Sequence, residues 1–176
     1  MSATKDVQIP LSNLDIENFL QCYNASYINY NELASHASMH DIFDASNFRI
    51  MHLPSDISDI GHWVVILRRT DSLFEYFDPM GMAPDASNVR LNRKPENKSK
   101  KYFRELIART PGATFIFNAQ PLQDPTSLVC GKFVIARVLS MKTQLKEYID
   151  LLLSISTNLD EFMNKTITIP LVNRSN

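Results

Sequence analysis

Glycine is scarce in this chain, with four among 176 residues. A glycine in so poor a background marks a place where the backbone turns sharply or is approached closely. Three of the four, Gly61, Gly81 and Gly131, stand beside chemically capable side chains. Cysteine is nearly as rare. Cys22 and Cys130 alone exclude a disulfide framework, and a reducing compartment, where a thiol stays usable, is the default expectation. No apolar run approaches the roughly 20 residues of a membrane helix. The start, Met1-Ser2-Ala3-Thr4-Lys5-Asp6, lacks the apolar core of a signal peptide, so no membrane partner is expected. Charge of one sign is missing too. A net charge of −1 excludes electrostatic attraction of the whole chain to nucleic acid. There is no internal repeat and no low-complexity tract. What remains is the composition of an ordinary globular protein, 44% hydrophobic and 21% charged, of a length that predicts one domain over 1–176.

The charge is nevertheless uneven. Between Arg90 and Arg104 there are seven basic residues (Arg90, Arg93, Lys94, Lys98, Lys100, Lys101, Arg104) against one acid, Glu96. Such a run is a solvated face or, through phosphates, a weak contact with DNA. Tyr102 and Phe103 within it read as anchors of a helix in the core.

Ser12-Asn13-Leu14-Asp15 predicts a helix start, with Ser12 or Asn13 as cap and Asp15 in the first turn. The stretch 23–44 reads as helical turns and loop, and 46–53 as a strand. The apolar, β-branched run 62–69 predicts a strand buried on both faces. Thr70-Asp71-Ser72 turns it into a second strand over 73–77, making a hairpin. A polar connection follows over 79–97, then a helix over 98–109 and a further buried strand over 114–117. After a loop over 118–126, a helix is predicted over 127–141, capped by Thr126 or Ser127. Helices over 144–154 and 158–164 close the chain. The fold class is α+β, a small sheet with helices around it.

Four residues on these elements form the set that a cysteine hydrolase needs: a base, an orienting acid, an amide donor and a nucleophile. Cys130 falls in the first turn of a helix, where unpaired N–H groups and the helix dipole favour a thiolate, and Gly131 leaves room for a substrate carbonyl. His62 opens the buried strand and Asp78 ends its hairpin partner. Neighbouring places at one end of the hairpin would let Asp78 hold the second imidazole nitrogen. Gln123, seven residues before Cys130, can direct its amide at the oxyanion, with the Cys130 N–H as second donor. Taken singly, each has a plainer reading. Cys130 fits a small core residue, His62 a core histidine, Asp78 a turn former before Pro79 and Gln123 a loop residue. Trp63 reads as packing beside His62 and shielding it, or simply as core.

Together, Gly61-His62-Trp63, Phe77-Asp78-Pro79-Met80-Gly81, Gln123 at its spacing to Cys130, and Cys130-Gly131 resemble the adenovirus-type maturation proteases. That family includes relatives encoded by virophages and by Polinton-like DNA elements. Leu11-Ser12-Asn13-Leu14-Asp15-Ile16-Glu17 is similar to the first helix of the virophage and Polinton branch. The resemblance runs from Leu11 to Met141. It implies a central mixed sheet flanked by helices with the nucleophile at a helix N-terminus, and a papain-like geometry reached with Cys and His in reverse chain order. It also implies roles: His62 general base, Asp78 orienting acid, Gln123 oxyanion-hole amide and Cys130 nucleophile. Adenovirus members carry Glu where Asp78 stands, and many relatives carry Asp. Members cleave capsid and core precursors inside the assembling particle, often after small residues such as glycine. Capsid precursors as substrate, and the virion and infected host cell as location, are therefore expected. Adenovirus members use DNA and a cleaved viral peptide as cofactors. This chain departs from them in its near-neutral charge and in having no cysteine near 114–117 to tether such a peptide, so no cofactor is expected. Two rivals share the residues or the fold: a protease of ubiquitin-like modifiers, and a non-catalytic packaging or scaffold protein. His36-Ala37-Ser38-Met39-His40 has the i,i+4 histidines of a zinc helix but no third ligand, so no metal is expected. Cys22 reads as a small core residue.

Overall fold

The computed structural model describes residues 9–169. Its centre is a mixed five-stranded sheet, β1 (Tyr27–Asn29), β2 (Phe48–Leu53), β3 (His62–Arg68), β4 (Leu73–Phe77) and β5 (Thr114–Phe117), in the order β1-β2-β3-β4-β5. The three middle strands are antiparallel neighbours, while β1 lies parallel to β2 and β5 parallel to β4. The hairpin expected from the Thr70-Asp71-Ser72 turn is present, in a register that pairs Val65 with Phe77. The expected α+β class, a mixed sheet flanked by helices, is the one observed.

Alternation along β3 divides the core in two. Trp63, Val65 and Leu67 face a cluster built with Phe133, Val134 and Val138, whereas Val64 and Ile66 face one built with Tyr30, Phe74, Phe103 and Leu106. The first face is covered by α1 (Asn13–Phe19), α5 (Cys130–Leu139), α6 (Leu145–Ile155) and α7 (Leu159–Thr166). The second is covered by α4 (Tyr102–Arg109) and the 3-10 turns Tyr30–Ser35 and Met39–Ile42. Covered on both sides, β3 is buried from His62 to Leu67, as its unbroken apolar run demands. The far end of α5 is pinned to β4 by a fully buried ion pair, Arg137 Nε to Glu75 Oε1 at 2.7 Å and Nη2 to Oε2 at 3.0 Å. Arg69 also pairs with Glu75, so it is removal of Glu75 that would strand the buried Arg137 charge, at a cost of about 3–5 kcal/mol.

Several boundaries depart from expectation. The 23–44 stretch contains β1, whose three residues are too few to show alternation. The polar connection 79–97 holds two short helices, α2 (Ala86–Leu91) and α3 (Pro95–Lys98). Helix α4 begins at Tyr102 rather than Lys98. Strand β5 is not buried: it is the sheet edge, and Thr114, Ile116 and Phe117 are exposed. Helix α5 starts at Cys130, with Val129 in the cap position and no side-chain cap. Thr126 and Ser127 are used instead in the preceding turn, where Asp124 Oδ1 accepts the Thr126 N–H at 2.8 Å and the Asp124 carbonyl accepts the Ser127 N–H at 3.0 Å. At the N-terminal end Ser12 does cap α1, in a reciprocal box with Asp15. Among the described residues no helix is long and apolar enough to cross a membrane.

Candidate active site

His62 is the last residue of β3 to pair with β2, and Asp78 directly follows β4. Extending the β3–β4 register by one step sets Asp78 opposite Val64, two residues from His62 on the same face, so the two side chains meet diagonally. His62 Nε2 and Asp78 Oδ1 lie 2.8 Å apart, with 2% and 0% of their side chains exposed. A carboxylate only accepts, so Nε2 carries the proton and Nδ1 is left for the thiol of Cys130. Burial works against charge on His62. The Asp78 carboxylate, with Cys130 adding to it, outweighs burial and pushes the ring's pKa up to about 10. Cys130 is 6% exposed and is the first residue of α5, where N–H groups have no acceptor within the helix.

Asp78 is held on every side. Its Oδ1 also accepts the Met80 N–H at 2.8 Å, its Oδ2 accepts the Ser87 hydroxyl, and its backbone N–H donates to Asn118 Oδ1 at 2.9 Å. Neither Ser87 nor Asn118 carries a sequence signal for this contact. Pro84-Asp85 ahead of Ala86 is a helix-start pattern that could have placed Ser87 on α2, but nothing local points its hydroxyl at Asp78. Asp85 fixes α2 in turn: its carboxylate accepts the N–H groups of Phe103 and Arg104, both at 3.1 Å, and the Tyr30 hydroxyl at 2.6 Å. Burial and then the hydrogen bond to Asp85 push the Tyr30 pKa up.

Gln123 is buried and sits on a loop tied to the turn after Asp78. The Pro79 carbonyl accepts the N–H groups of Leu122 at 2.8 Å and Gln123 at 3.0 Å. Gly81 permits this approach. Its φ is +69°, and a Cβ there would stand 2.5 Å from the Pro121 nitrogen. The Gln123 amide donates one N–H to the Ser127 carbonyl at 2.9 Å, which leaves its second N–H, and its Oε1 has no partner among the described residues. The loop is anchored from outside by α7, where Asp160 Oδ2 accepts the Asp124 N–H at 3.0 Å, and α7 is tied to α5 by Asn164 Oδ1, which accepts from Lys132 Nζ at 2.6 Å. Burial raises the Asp160 pKa against the pull of the Asp124 N–H and the Ser127 hydroxyl.

Two expectations need correction. Gly131 does not open the helix start to a substrate. A Cβ there would lie 3.1 Å from Leu11 Cβ and 3.3 Å from Ile16 Cδ1, so the glycine makes room for the N-terminal segment. Cys22 is exposed rather than core, because it lies in the 3-10 turn Gln21–Tyr23, which buries no side chain. Trp63 packs its indole 4.6 Å from the His52 ring and edge-on to Tyr27, and donates Nε1–H to the Leu11 carbonyl at 2.9 Å. His40 packs against Phe74, and no cluster able to hold a metal forms among the described residues.

The mixed five-stranded sheet flanked by helices has counterparts among solved structures. Among solved structures, the ASFV pS273R protease matches with a TM-score of 0.51 at 14% identity, covering 92% of this chain and 68% of that one. The C-terminal protease domain of Ulp1, solved in complex with Smt3, the yeast ortholog of SUMO, gives 0.42 at 17% identity, covering 90% and 76%. The first of these likenesses shows a shared fold. No protein-family model matches the chain, and no curated protein matches it in sequence.

Proposed function

We propose that this chain, as one domain over 1–176, is a cysteine endopeptidase of the virophage and Polinton branch that cleaves capsid and core precursor proteins during particle maturation. The observation that carries the reading is the buried His62–Asp78 pair at 2.8 Å, with Cys130, in the first turn of α5, near enough to act on the same imidazole. The shared fold with a viral protease supports it.

The chemistry follows from the placement. Cys130, its proton held by His62, attacks the scissile carbonyl carbon. The C–S bond forms as the carbonyl π pair moves onto oxygen. That oxygen meets the second N–H of Gln123 and the Cys130 backbone N–H, which stabilise the charge as it develops. Collapse breaks the C–N bond while His62 gives its proton to the departing amine, leaving a thioester. His62 then takes a proton from water, the hydroxide adds to the thioester, and the C–S bond breaks to release the acid and restore the starting pair, with the proton again on His62. Asp78 keeps the ring in one tautomer throughout. The site of action in this reading is the virion and the infected cell. A weak phosphate contact with packaged DNA through exposed Arg90, Arg93, Lys94, Lys98 and Lys101 belongs to the same proposal.

The test is mass spectrometry of a capsid precursor expressed with this chain and with its Cys130→Ala variant. New termini with the native chain alone are expected. The same termini with Cys130→Ala would refute the reading.

A further inference from the structure

Next to this site lies a cavity of about 340 Å³ that the peptide-cleaving chemistry leaves unused. Its walls include Leu11, Tyr27, Asn29, His52, Asp59 and Trp63. Two of these touch the reacting end of the fold: Trp63 follows His62 on β3, and Leu11 packs on Gly131, the residue after Cys130. The volume is that of a small binding pocket.

The walls have a consistent chemistry. Tyr27 and Trp63 meet edge to face, with ring centroids 6.3 Å apart and planes at 81°, and the His52 ring lies 4.6 Å from Trp63. The hydrogen bond from Trp63 to the Leu11 carbonyl fixes the indole. His52 Nε2 meets the Ile60 carbonyl at 3.0 Å. A carbonyl only accepts, so Nε2 carries the proton and Nδ1 presents a lone pair. Asp59 adds an exposed carboxylate that no cation pairs with among the described residues, and no Lys or Arg lines the cavity. The exposed Tyr27 ring, the acceptors and an unneutralised carboxylate together suit a planar, donor-rich cation.

From this we infer that the cavity is a specificity subsite for a basic side chain, arginine above all, of the protein substrate. The word substrate rests on the peptidase reading, whereas the preference of the cavity is measurable without it.

Trp63 is the only tryptophan, so its fluorescence reports on this cavity. The Cys130→Ala protein would be titrated with Nα-acetyl-arginine amide and with Nα-acetyl-norleucine amide. Saturable quenching by the arginine probe is expected, with the norleucine probe at least about fivefold weaker. Asp59→Asn should weaken the arginine probe by about two- to fivefold and leave the norleucine probe where it was. Equal binding of the two probes, or indifference to Asp59→Asn, would overturn the inference. A fluorogenic peptide array on the native chain separates the two ideas. Turnover without any arginine preference defeats the subsite and spares the peptidase. Arginine-selective quenching with no turnover of any peptide defeats the peptidase and spares the cavity's selectivity.

Discussion

Asp78→Asn isolates the charge that His62 depends on. The substitution keeps the shape. An Asn carbonyl can still accept from His62 Nε2 and from the Met80 N–H, and its amide can donate to Ser87. What it removes is the main influence holding the His62 pKa up to about 10 against burial, which alone would drive it below the ordinary 6.5. A rise from 6.5 to about 10 favours the folded protein by up to ~4 kcal/mol at pH 7. Because the value is raised, that stabilisation is complete below about pH 6.5 and is lost as pH climbs through about 10. Asp78→Asn should therefore lower stability by about 2–4 kcal/mol at pH 7, since a neutral hydrogen bond remains, and the gap to the native chain should close towards pH 10. Thermal melts at both pH values read the first effect, and NMR titration of the His62 ring reads the second. The ring should stay protonated to about pH 9 in the native chain and titrate at or below 6.5 in the variant. A variant ring still protonated at pH 8, or a stability gap that does not change with pH, would refute the reasoning.

Other outcomes follow from the same geometry. Gly81→Ala must adopt φ near +69° with its Cβ 2.5 Å from the Pro121 nitrogen, so the Gln123 loop has to move. A stability loss of about 2–4 kcal/mol and a fall in turnover of about 10²-fold are expected by melting and kinetics. Ser87→Ala leaves Asp78 Oδ2 without its hydroxyl donor and should cost about 1–3 kcal/mol in denaturant unfolding. Gln123→Ala should lower kcat by about 10²–10³ with little change in KM, because the lost amide acts on the oxyanion and not on the bound peptide.

Much of the site could be read along the chain because local patterns carry it. An apolar β-branched run, a Thr-Asp-Ser turn and a second short run make the β3–β4 hairpin, and a hairpin brings His62 and Asp78 to one end of the sheet. Cys130 opens a helix whose apolar face marks it for the core. The parts that could not be read depend on long-range contact. Ser87 reaches Asp78 only because Asp85 ties α2 to α4 and to Tyr30. Asn118 reaches the Asp78 backbone from 40 residues away. Gly131 looked like room for a substrate, yet that room is filled by Leu11 and Ile16, about 120 residues earlier in the chain. Strand β5 has the composition of a buried strand and lies at the edge, since composition does not report which strands have a neighbour on both sides.

In the proposed chemistry Cys130 is activated by His62, and the chain carries its own control in Cys22. Cys22 is free and exposed, whereas Cys130 is free and 6% exposed. Access alone would make Cys22 react first with iodoacetamide. Peptide mass spectrometry after brief treatment at pH 6.5 should instead show Cys130 modified ahead of Cys22, with that order reversed in His62→Ala. Cys22 reacting first in the native chain, or an order unchanged by His62→Ala, would contradict the central claim.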